Sequence, residues 1–131
     1  FLNQAENSDL FSADKLFIQE GRKVFKQVIP MVSSLVEEHL KEAKISIKKV
    51  NRLWLHQANL SMNQLIAKRL LGREPNLEEM PIVLNEYANT SSAGSIIAFH
   101  KYNKDLNKGD IGVICSFGAG YSVGSIIVQK I

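Results

Sequence analysis

The chain has 131 residues, 45% of them hydrophobic and 22% charged, which describes one globular domain long enough to bury a core. Its net charge of +3 is mild and its Lys and Arg residues are dispersed, Lys48-Lys49 after Lys41 and Lys44 being the main concentration; the basic, aromatic-interleaved stripe of a nucleic-acid binder is excluded. No apolar run approaches the ~20 residues of a membrane span, so neither nucleic acid nor membrane is an expected partner.

Residues 1–15, rich in Asn, Ser and Asp, read as a loop or linker, with Ser12 or Asp14 placed to cap the helix that follows. From Leu16 to Ala43 apolar residues recur at helical spacing (Phe17, Val24, Phe25, Val28, Val32, Leu35, Val36, Leu40). Pro30 falls inside that helix and is expected to kink it. Residues 50–55 form a short strand candidate ending at His56, and 59–71 a second helix stopped by Gly72. After a polar, proline-containing connection, 81–84 read as another strand, followed by the polar stretch Asn85-Glu86-Tyr87-Ala88. Small residues in 92–102 (Ala93, Gly94, Ser95, Ala98) beside Ile96, Ile97 and Phe99 predict a buried helix. Residues 111–117 and 122–128, joined by a short glycine turn, predict an antiparallel hairpin. The pattern is that of an α/β domain over residues 16–131.

Three polar motifs each follow an apolar, β-prone run: His56-Gln57-Ala58-Asn59, Asn89-Thr90-Ser91 and Phe117-Gly118-Ala119-Gly120. Parallel strands would bring all three to one sheet edge, at the carboxyl ends where ligands of open α/β sheets bind. A histidine, an amide and free backbone N–H groups together suit a carbonyl oxygen that gains negative charge. Gln57 and Asn59 stand on the strand-to-helix turn, where a substrate would be contacted. Burial would keep His56 neutral, with one ring N–H to donate. The blander readings are that Asn89, Thr90 and Ser91 cap a helix and that the glycine loop is only a tight turn. His39 and His100 fall on helix positions expected to face solvent.

The single cysteine, Cys115, forbids an internal disulfide and fits a reducing compartment such as the cytoplasm. It lies within the apolar run 111–117, where a thiol behaves as an inert hydrophobe rather than a nucleophile. One Cys and three scattered His make no metal-ligand set, and no cofactor is expected. The polar, acidic residues 1–14 do not resemble a signal peptide. Beginning at Phe1 without Met, the chain is expected to be a piece of something longer.

In order and spacing, several blocks resemble one family: Gly21-Arg22-Lys23-Val24-Phe25, Leu55-His56-Gln57-Ala58-Asn59, Tyr87-Ala88-Asn89-Thr90-Ser91-Ser92-Ala93, Gly109-Asp110 and Phe117-Gly118-Ala119-Gly120 with Gly124. The chain is similar to the C-terminal half of β-ketoacyl-acyl-carrier-protein synthase III, a thiolase-fold condensing enzyme. The resemblance implies a mixed sheet with helices on both faces and an antiparallel hairpin at the end. It implies fatty acid biosynthesis by decarboxylative Claisen condensation, with partners in the N-terminal half of the enzyme, acyl carrier protein, an acyl-CoA or malonyl thioester, and a second subunit. His56 and Asn89 would donate to the malonyl thioester oxygen, the Ala119 backbone N–H would help form a second oxyanion hole, and Phe117 would shield the carboxylate. The nucleophilic Cys would belong to the other half, so this piece alone is expected to be inactive. Ser61 stands where the family often carries an Arg thought to engage the carrier protein, and Ala119 stands where glycine is usual. A coenzyme-A acyltransferase or related condensing enzyme of the same fold, or a non-catalytic assembly domain, is the alternative reading.

Overall fold

Three strands organise the domain. In a computed structural model that describes residues 21–131, β1 (Val50–Leu55) pairs in parallel with β2 (Ile111–Gly118), and β2 pairs antiparallel with β3 (Ser122–Gln129), in the order β1-β2-β3. The loop expected over 1–15, its capping Ser12 or Asp14 and the first turn of the helix expected from Leu16 lie outside the described residues. The remaining elements are α1 (Gly21–Glu42), α2 (Leu60–Leu71), the single turn α3 (Leu84–Tyr87) and α4 (Ala93–Lys101). Among the described residues no helix is long and apolar enough to cross a membrane.

Strand alternation sends successive side chains to opposite faces, and both faces are covered. Leu53, Leu55, Val113 and Cys115 pack with Val28, Val32, Val36 and Leu40 of α1 and with Met62, Ile66, Ala67 and Leu70 of α2. The four α1 residues repeat every fourth position, the spacing of one helix face. The helix runs on through Pro30, and the buried Ser33 hydroxyl donates to the Ile29 carbonyl at 2.9 Å. On the other face Trp54 and Ile114 pack with Val83 and with Ala98 of α4. The Trp54 indole donates to the Tyr102 carbonyl at 3.0 Å and meets Phe99 edge-on, ring centroids 4.9 Å apart. Gly112 of β2 approaches this indole so closely that a Cβ there would overlap it. Arg52, buried on β1, donates to the same Tyr102 carbonyl at 2.8 Å and to Asp105, tying the end of α4 to the sheet. The Arg52 guanidinium holds the Asp105 carboxyl below the usual carboxylate range.

Residues 81–84 are not the strand that their apolar character suggests. Pro81 has no N–H to give a ladder, and among the described residues the backbone bond that β1 makes on this side, Leu53 N to the Glu79 carbonyl at 2.7 Å, falls before the segment. A side chain supplies the missing pairing: Gln57 Oε1 accepts from Val83 N at 3.0 Å. The chain then turns directly into α3. His39 also departs from expectation, since it is half-buried and its Nδ1 pairs with the Ser125 hydroxyl at 2.7 Å, pinning α1 to β3.

Candidate functional site

The parallel register places Leu55 opposite Cys115, so the next residues on, His56 and Ser116, are neighbours at the carboxyl ends of β1 and β2. His56 Nδ1 lies 2.9 Å from Ser116 Oγ. The ring of Phe117 packs on the imidazole, centroids 4.3 Å apart and planes at 38°. His56 is only 6% exposed, and this burial lowers its pKa from the ordinary 6.5. At neutral pH the ring is therefore uncharged, with one nitrogen a donor and one an acceptor. With Nδ1 engaged by Ser116, Nε2 is the nitrogen left to address a ligand.

The glycine loop follows β2 at the same end of the sheet, as a tight turn over Ala119–Tyr121 into β3. Its left-handed positions are Gly120 (φ 70°) and Tyr121 (φ 54°).

Asn89 follows α3 rather than a strand, yet tertiary packing brings its loop to the same end. A Cβ at Gly94 would lie 2.7 Å from the Cβ of Gln57 and 3.2 Å from Thr90 Oγ1, so the start of α4 and the loop before it press on the turn after His56. Asn89 is exposed and its Oδ1 accepts from Ser91 N at 2.9 Å, so the donor end of its amide, Nδ2, is not the group that makes this bond. The backbone on either side is unusual. Ala88 has φ 53° and ψ −155°, and Ser91 has φ 57°, conformations that cost a residue with a Cβ on the order of 1–3 kcal/mol. Ala88→Gly is expected to relieve most of that strain and raise stability by about 1 kcal/mol after the entropy gained by the unfolded chain. An unchanged or lowered thermal midpoint would show that Ala88 is not strained.

Two residues expected to contact substrate are occupied within the fold. Gln57 is fully buried; its Nε2 donates to the carbonyls of Leu55 (2.9 Å) and Pro81 (3.5 Å) while Oε1 holds Val83 N. Asn59 caps α2, its Oδ1 accepting from Met62 N at 2.8 Å. Both shape the turn that carries His56. Ser116 was not among the sequence candidates; its one signal is a polar break in the apolar run of β2, facing the residue after β1.

Cys115 is 1% exposed and its thiol is pushed up to about 12 by burial. In the native protein at neutral pH, the peptide carrying Cys115 should remain unmodified by a maleimide until denaturant is added. Rapid native-state labelling located there by mass spectrometry would contradict this burial. Among the described residues no three His, Cys, Asp or Glu side chains come close enough together to hold a metal ion.

Residues 40–130 match the family described as 3-Oxoacyl-[acyl-carrier-protein (ACP)] synthase III C terminal. A β-ketodecanoyl-[acyl-carrier-protein] synthase of Pseudomonas aeruginosa is 58% identical over 130 residues, covering 99% of this chain and 37% of its own length. A β-ketoacyl-[acyl-carrier-protein] synthase III of Phocaeicola vulgatus is 33% identical over 111 residues, covering 85% of this chain and 32% of its own. The chain thus spans about a third of these relatives. Among solved structures, 3-oxoacyl-(acyl carrier protein) synthase III of Pseudomonas aeruginosa PAO1 superposes with a TM-score of 0.79 at 26% identity, over 91% of this chain and 37% of that one. The enzyme from Thermus thermophilus gives 0.79 at 25% identity, over 88% and 36%. The mixed sheet, the helices on both faces and the terminal hairpin are those of this thiolase-like fold, and the chain belongs to the 3-oxoacyl-[acyl-carrier-protein] synthase III C-terminal family.

Proposed function

We propose that this chain is the enolate-stabilising half of a condensing enzyme of fatty acid biosynthesis. Residues 16–131 form its C-terminal domain, and 1–15 link it to an N-terminal half that carries the nucleophilic cysteine. In this reading the cysteine accepts an acyl group from an acyl thioester, releasing the free thiol. A malonyl unit on acyl carrier protein then loses carbon dioxide. His56 Nε2–H and Asn89 Nδ2–H donate to the thioester oxygen as it takes up the electron pair. The enolate carbon attacks the acyl-cysteine, which forms the β-ketoacyl product and returns the thiolate. The backbone N–H of Ala119, in the loop Gly118 to Gly120, serves the second oxyanion, at the acyl-cysteine. Phe117, packed on His56, keeps water from the malonyl carboxylate. Gln57 and Asn59 hold the turn that presents the imidazole.

The observation that carries this reading is the buried, neutral His56, held by Ser116 and Phe117 at the carboxyl ends of two parallel strands beside a glycine loop. Donors fixed in advance for charge that appears only in the transition state are what accelerate such a step. The 58% identity to a β-ketodecanoyl synthase supports a medium-chain acyl group as the one extended. The working unit is a cytoplasmic homodimer, and the isolated chain is silent for want of the cysteine. Ser61 leaves α2 without the Arg frequent in the family, which removes one contact expected for the carrier protein.

The test is carbon dioxide release from labelled malonyl-carrier protein by the full-length protein, run beside acyl transfer from acyl-CoA. Condensation with both steps present is the expected result. Acyl transfer to another acceptor without decarboxylation would favour a coenzyme-A acyltransferase of this fold, and neither activity would favour an assembly role.

A further inference from the structure

We infer that Ser116 is a positioning residue that sets the tautomer and orientation of His56, its hydroxyl donating to Nδ1 so that the ring proton resides on Nε2. The hydroxyl and Nδ1 are 2.9 Å apart although their residues are 60 positions apart in sequence. The sheet brings the two residues together. The parallel register that sets Leu55 beside Cys115 puts His56 beside Ser116. The imidazole sits past the end of β1, where it meets the Ser116 hydroxyl and the Phe117 ring together. Phe117, the next residue, covers the ring at 4.3 Å. One edge and one face of the imidazole are therefore held by consecutive residues of β2.

The direction of the hydrogen bond follows from proton accounting. A neutral imidazole has one donor and one acceptor, and a serine hydroxyl has one proton to give. Among the described residues Nδ1 is the one partner found for the Ser116 hydroxyl. A proton on Nδ1 would leave the hydroxyl proton without an acceptor in a half-buried position, whereas a bare Nδ1 satisfies both groups. Nε2 then carries the N–H. The catalytic consequence rests on the enolate-stabilising reading above, since only an Nε2–H can donate to the thioester oxygen from a ring anchored through Nδ1. The tautomer itself does not depend on that reading.

The experiment uses the full-length protein with its histidine rings labelled with nitrogen-15, His56 being assigned by the signal lost in His56→Gln. Long-range proton–nitrogen spectra separate bare from protonated ring nitrogens. The expected result is a bare Nδ1 and a protonated Nε2 in the wild type. In Ser116→Ala the Nδ1 signal should move, and carbon dioxide release should fall by about 10- to 100-fold, the scale on which losing the partner that orients a metal-bound histidine acts. Acyl loading should be unaffected. Ser116→Thr, which keeps the hydroxyl, should restore both the spectrum and most of the rate. A protonated Nδ1 in the wild type overturns the inference, as does a Ser116→Ala protein with unchanged spectrum and rate, or a Ser116→Thr protein as slow as Ser116→Ala. Should Ser116→Ala not fold, the wild-type and Ser116→Thr spectra still decide. A His56→Ala protein that decarboxylates at full rate would instead overturn the enolate reading, and the wild-type spectrum would still judge the tautomer.

Discussion

His56→Ala in the full-length protein is expected to cut carbon dioxide release from a malonyl thioester by about 10²–10³-fold, the usual cost of one preorganised oxyanion donor. Acyl transfer from acyl-CoA to the cysteine should persist, because in the proposed division of labour the loop after β2 and the cysteine handle loading. Asn89→Ala should follow the same split with a smaller loss. Among the described residues its Oδ1 is bound by Ser91 N alone, within its own exposed loop, whereas His56 is held on two sides by Ser116 and Phe117. The measurement is labelled-acyl loading beside carbon dioxide release for each variant. Loss of loading together with full decarboxylation would assign His56 to the wrong half-reaction. The same substitution should alter the acid side of the stability profile. Burial sets the folded pKa of His56 below its ordinary 6.5, so the unfolded chain binds the proton first as pH falls. Stability is then lost from about pH 6.5 downwards through the folded pKa, and the variant should escape that part of the loss.

Gly112→Ala should be the most damaging small substitution in the fold. A Cβ at Gly112 would stand 2.1 Å from Cζ3 and 2.5 Å from Cη2 of Trp54, well inside van der Waals contact. The indole has nowhere to go: it is fully buried, it donates to the Tyr102 carbonyl at 3.0 Å, and Phe99 closes its edge. Overpacking a core typically costs 1–3 kcal/mol; with the indole pinned in this way about 3 kcal/mol or more is expected. Thermal midpoints of Gly112→Ala, Trp54→Phe and the double variant check the cause. The smaller phenyl ring makes room for the methyl, so the double variant should be markedly more stable than the sum of the single losses predicts. Simple additivity would mean that the two residues do not share that contact.

Local chemistry determined a large part of this domain from its sequence. Apolar helical spacing marked α1 and α2, and small residues beside Ile96, Ile97 and Phe99 marked α4. Apolar, β-prone runs marked β1, β2 and β3, and Gly72, in the left-handed conformation with φ 69°, ended α2 as a glycine should. Each of these signals depends on neighbours a few residues apart, which is why they survive without knowledge of the fold. His56 and the loop after Phe117 were legible for a related reason: each ends a strand, and parallel pairing of those strands suffices to bring them together.

What the tertiary structure decided were the hydrogen bonds and contacts between distant segments. The apolar run 81–84 carries the composition of a strand, but whether a backbone joins a ladder depends on which partner meets it. Here Pro81 and the buried amide of Gln57 replace the ladder with side-chain bonds. The same bonds remove Gln57 from the surface that its place after His56 suggested. Ser116 gained its importance only when two strands, 60 residues apart, aligned its hydroxyl with an imidazole nitrogen. Backbone and side-chain polar groups must be paired when buried, and periodicity reveals that they are buried without revealing with whom they pair.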